Sequence, residues 1–161
     1  MPCSALSSGA VMSLDDRRAD RARALALIWA GMVLGVSFLA TPAKFLALSL
    51  SMPIALDIGR HTFRTFGRVE MALTALLGLR AAASATPQGP LVLAPGLFVL
   101  AQALWLRPRL DARTRQIAQS GVAAPPSSGL HLAYVACEVA KLAALLTLGL
   151  AATAGNDAGR R

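Results

Sequence analysis

Charged side chains are scarce in this 161-residue chain, at 15% of all residues against about 25% in an ordinary soluble domain. That shortage excludes a surface evenly covered by water-binding groups, and the mean hydropathy of +0.56 points the same way. Cysteine and histidine number two each. Cys3 and Cys137 fall in unrelated segments, which argues against a disulfide framework. No Cys-x-x-Cys-His motif or histidine-rich run occurs. A nucleophile–base grouping of the hydrolase or transferase kind is also missing, so no enzymatic activity and no cofactor are expected. Residues 1–23 do not form a cleavable signal, because their charges come late and the apolar run behind them is long. Met12 is as good a start as Met1, since nothing in MPCSALSSGAV looks structural.

What the chain has instead is long apolar runs: Ala24–Ala40, Val69–Leu79 continuing through Ala81–Ala85, Leu91–Leu106 and Leu130–Ala152. A helix needs about 20 mostly apolar residues to cross a bilayer, with roughly 17 to 25 as the working range. The expectation is an all-α integral membrane protein, an up-down four-helix bundle. Its spans fall at about 24–43, 66–85, 88–106 and 130–152. They sit in a membrane domain of residues 24–153, between a disordered or interfacial tail 1–23 and a polar tail 154–161. Residues 43–56, interrupted by Ser49, Ser51 and Pro53, either extend span one or form an interfacial helix between spans one and two. The turn-rich SATPQGP makes spans two and three antiparallel neighbours. Gly31 and Gly35, four apart, offer a close-packing face on span one.

The net charge of +8 does not indicate nucleic acid, because the arginines flank the apolar runs. Arg17, Arg18, Arg21 and Arg23 precede the first run, and Arg107, Arg109, Arg113 and Arg115 follow the third. Such flanks anchor helices to anionic headgroups, so the expected partner is the lipid bilayer. Nothing in the chain names a protein partner or an oligomeric state. Arginine outnumbers lysine by 14 to 2 beside abundant alanine. That codon bias suggests a GC-rich bacterial genome, and hence a bacterial inner membrane.

Chain parity in such a bundle collects Lys44, His61, Arg68, Glu70, His131 and the basic third loop at one membrane face. His131, Tyr134, Glu138 and Lys141 follow at intervals of three, four and three, one stripe on span four. With Glu70 they form a one-sided polar interior suited to ion or proton movement or to membrane stress tolerance. Charged groups at bilayer depth are costly and find partners, and Glu138 and Lys141 are spaced to pair with each other. Arg60, Arg64 and Arg68 recur every fourth residue, an interfacial basic stripe for headgroups. The competing reading takes His61 and His131 as ligands for haem or copper.

Taken together, GMVLGVSFLATPAKF, RHTFRTFGRVE, LWLRPRLDA and GLHLAYVACEVAKLAALL resemble the transmembrane-protein-205-like family, a four-span domain of unknown function. The matching positions are Pro42, Phe45, Phe66, Pro108, Arg109 and His131, over roughly residues 25–150. The resemblance implies the four-span fold and brings no reaction or cofactor. Glu138 departs from it, standing where a neutral polar residue is expected. A looser resemblance to CopD-like copper-resistance membrane proteins accompanies the metal reading.

Overall fold

The computed structural model describes residues 14–82, 89–120 and 129–150. These form four helical rods and no strand. Helix α1 covers Leu14–Val33 and runs on through a π-helical stretch Leu34–Ala40, Thr41–Ala43 and a 3-10 turn Lys44–Leu46. Helix α2 is Met52–Ala82. Helix α3 comprises Gly89–Ala101, a π-helical turn Gln102–Leu106 and Arg107–Ser120, and helix α4 is Gly129–Leu150.

Side-chain contacts set the directions. Along α1, Leu27 meets Gly149 and Ser37 meets Glu138, so α1 and α4 run antiparallel. Between α2 and α3, Arg64 meets Asp111, Glu70 meets Arg107 and Thr74 meets Gly96, again antiparallel. Lys44 meets Gly59 and Trp29 meets Glu70, so α1 and α2 are antiparallel too, and the bundle is up-down, as expected.

Both π-helical stretches end two residues or fewer before a proline. A proline inside a helix lacks an N–H and crowds the carbonyl four residues back. Ahead of Pro42, the Thr41 N–H reaches the Val36 carbonyl five residues back, and the Thr41 Oγ1 donates to the same oxygen at 2.8 Å. Ahead of Pro108, the Arg107 N–H likewise reaches the Gln102 carbonyl. One widened turn absorbs each proline, and the helix continues instead of stopping.

Three expectations change. Residues 43–56 form no separate interfacial helix: those up to Leu46 continue α1, and those from Met52 open α2, with Pro53 in the first helical turn, where an N–H is not needed. Helix α3 does not end near residue 106 and carries on to Ser120. Gly31 and Gly35 have no neighbouring atom within 4 Å of where a Cβ would stand, so they form no packing face. The close approach between α1 and α4 falls instead at Gly149, against which the Leu27 side chain closes. Residues 1–13, most of the SATPQGP turn and the tail 154–161 lie outside the described residues, as does Met12.

The apolar core occupies one half of the bundle. Ala26, Trp29 and Val33 of α1 pack there with Leu77 of α2, Val99 of α3, and Leu145 and Leu148 of α4. The opposite half opens into a cavity.

Candidate functional site

On α4 the buried face is Tyr134, Glu138, Lys141, Leu145 and Leu148, a single stripe at helical spacing. Lys141 is fully buried, and its three N–H groups all find acceptors. They go to Glu138 Oε1 at 2.9 Å, to Gln102 Oε1 at 3.0 Å, and to Glu70 Oε1. The Gln102 Nε2 in turn donates to Glu138 Oε1 at 2.8 Å, and the Ser37 hydroxyl donates to Glu138 Oε2 at 3.0 Å. Glu70 also accepts from the Trp29 indole N–H at 3.4 Å and from Arg107 at 3.1 Å. Two carboxylates thus face two cations, and all four helices contribute a group. Such saturation is what makes buried charge tolerable, since an unpaired member would carry its full desolvation cost.

Local chain geometry delivers these groups. Ser37 and Gln102 each sit within one of the two π-helical stretches, and each donates to a different oxygen of Glu138. π-Turns of this kind commonly mark functional positions. Arg107 reaches Glu70 by crossing α2 at Gly67, where any Cβ would collide with the guanidinium.

Beyond Glu138 lies a cavity of about 910 Å3, walled by all four helices. Glu138 and Tyr134 line its deep part, and Lys44, Arg60, Arg64, Arg115 and His131 line its outer part. Glu138 is only 2% exposed, so the cavity is its one approach among the described residues. On the far side of Lys141 the apolar core closes the bundle.

No protein-family model, curated protein or solved structure matches the chain. Its chemistry has to be read from its own residues.

The stripe residues Tyr134, Glu138 and Lys141 are brought together, and His131 stands at the cavity wall while being exposed to the outside. Glu70, counted with the polar interior, is fully buried at the centre. Arg68 is exposed, because two residues along a helix turn a side chain to nearly the opposite face. The basic stripe divides in the same way. Arg60 pairs with Asp57 and Arg64 with Asp111, both at the cavity, and Arg68 points outward. His61 is absent from the cavity lining and lies 3.9 Å from Asp57, away from His131's setting. No group of three or more metal-binding side chains converges among the described residues.

Sequence reading overlooked Gln102, Ser37 and Trp29, and set Arg107 among the headgroup anchors although it pairs with buried Glu70. A signal existed for two of them. Gln102 is the lone polar side chain in Leu91–Leu106, and Ser37 the lone one in Ala24–Ala40.

Proposed function

We propose that the chain is a non-enzymatic four-span integral membrane protein of a bacterial inner membrane, taking up a proton or small cation at Glu138 from one face. The single observation that carries the site is that Glu138 belongs both to the buried charge cluster and to the cavity wall.

The membrane part of the reading draws on an inside-out distribution. Glu70, Gln102, Glu138 and Lys141 are the buried polar residues, whereas Leu34, Leu39, Leu79, Leu97, Leu104 and Leu132 are each more than half exposed. Water penalises such an exterior and hydrocarbon does not. Two helices, Asp20–Leu46 and Gly129–Leu150, are long and apolar enough to cross a membrane. Helix α2, at 31 residues, reaches about 46 Å and exceeds the roughly 30 Å hydrocarbon thickness, leaving its basic first half to project. At that same end Arg109 lies over the Trp105 ring at 4.6 Å and Lys44 over the Phe45 ring at 5.0 Å. Exposed aromatic–cation pairs of this type are characteristic of the headgroup level. Four of the six residues carrying the family resemblance, Pro42, Phe45, Pro108 and His131, line the cavity.

Alkaline carbonate extraction of membranes tests the first half of the proposal, with retention in the pellet as the expected result. Proton or cation flux into liposomes tests the second. Glu138→Gln abolishes flux if the carboxyl carries the ion, and undiminished flux in that variant assigns Glu138 to packing alone.

A further inference from the structure

The outer cavity carries more positive charge than the Glu138 site uses. Lining the cavity or joined to the cluster are six cations, Lys44, Arg60, Arg64, Arg107, Arg115 and Lys141. Four carboxylates answer them: Asp57 takes Arg60, Asp111 takes Arg64, and Glu70 and Glu138 are held by Lys141 and Arg107. Lys44 and Arg115 are left without an ion pair among the described residues, and both line the cavity.

Two further features show that the recess is built for a negative group. The Tyr134 hydroxyl belongs to a side chain only 5% exposed and lines the cavity, and the Arg107 guanidinium beside it is too poorly aligned to satisfy it. The Arg107 Nε is likewise unpartnered. A buried hydroxyl and guanidinium N–H left unpaired are unusual, because each loses its hydration without replacement. Meanwhile α2 carries a glycine under each of two cations. A Cβ at Gly59 would strike the Lys44 ammonium, just as one at Gly67 would strike Arg107. Around these groups the wall is apolar, with Phe38, Phe45, Leu56 and Phe63. Its volume falls in the range of about 300–1,000 Å3 typical of small-molecule sites.

We infer that the cavity binds an anionic phospholipid, its phosphate on Lys44, Arg107, Arg115 and the Tyr134 hydroxyl, and the start of its acyl chain against Phe38, Phe45 and Phe63. Phosphate supplies the charge and the acceptor oxygens that these donors lack. The aromatic wall, and the exposed Leu46 and Leu48 just past it, favour a lipid over free phosphate. The site depends on the membrane reading proposed above and shares its cavity with the approach to Glu138, so a bound lipid would line the path of an ion reaching that carboxyl.

Binding of short-chain phosphatidic acid to the detergent-solubilised full-length protein, followed by native mass spectrometry, tests this. Dihexanoyl phosphatidylcholine and inorganic phosphate serve as the other two probes. One phosphatidic acid per chain is expected, with both other probes weaker by about tenfold or more. Lys44→Gln combined with Arg115→Gln should weaken phosphatidic acid by about tenfold. Gly59→Ala and Tyr134→Phe should each weaken it by roughly threefold or more, the latter leaving the packed ring in place. Equal binding of phosphatidylcholine, equal binding of free phosphate, or unchanged affinity in the double variant would each overturn the assignment. Carbonate extraction of the same variants separates loss of lipid binding from loss of membrane insertion.

Discussion

The two halves of the bundle on either side of Lys141 use the same four helices and end up differently. On one side, Ala26, Val33, Leu77, Leu145 and Leu148 close on each other, and Gly149 and Gly96 let Leu27 and Thr74 approach the neighbouring backbone. On the other side the helices stand apart around about 910 Å3 of cavity. The difference coincides with the two π-helical stretches, since Pro95 of α3 lies fully buried in the closed half without one. Pro42 and Pro108 both belong to the open half, each preceded by a π-helical stretch. Such turns displace a helix locally and disrupt the regular side-chain ridges on which close packing depends. The lesson is that opening one end of a bundle does not require a separate domain. Two widened turns on helices α1 and α3 are enough.

Substitutions can break or sharpen this contrast. The largest effect is expected at the boundary itself. Lys141→Met removes the ammonium shared by Glu70 and Glu138 and leaves Arg107, on the far oxygen of Glu70, as their one remaining cation, which should cost about 3–5 kcal/mol, read as a lowered midpoint in detergent unfolding. Adding Glu70→Gln to that variant should recover part of the loss, and no recovery would mean that carboxylate repulsion is not the cause. In the closed half, Leu145→Ala should cost about 2–4 kcal/mol, because its neighbours cannot collapse into the space. Ser37→Ala, which removes one hydrogen bond to Glu138 and leaves those from Gln102 and Lys141, should cost about 1 kcal/mol. In the open half, Leu56→Ala merely enlarges an existing cavity and should cost less than about 1 kcal/mol. If Leu56→Ala and Leu145→Ala prove equal, the two halves are packed alike and the contrast fails.

The parts of this architecture that were legible in the sequence are those that depend on local composition. The apolar runs of α1, α3 and α4 showed their helices, and the three–four–three spacing of His131, Tyr134, Glu138 and Lys141 showed one face of α4. The full lengths of α2 and α3 were not legible. Residues 52–65 and 107–120 are polar enough to lie outside hydrocarbon, and a span pattern has no way to register them as helix. The partners of Lys141 were hidden for a different reason. Glu70 and Gln102 lie 71 and 39 residues from it in the chain, and only the antiparallel register of four helices brings them to one ammonium. Gln102 stands alone among apolar neighbours, and that isolation was the available clue.

The cluster around Lys141 has a consequence for electrical behaviour. With Glu70 and Glu138 ionised and Lys141 and Arg107 protonated, the group is neutral as a whole, so a membrane voltage exerts no net force on it. On the function proposed above, a proton taken up at Glu138 within a bilayer would leave the assembly with a single positive charge. A charge crossing the entire field gains or loses roughly 2.3 kcal/mol per 100 mV. Occupancy of that carboxyl would then follow the potential across the bilayer in proportion to the depth of Glu138 within it.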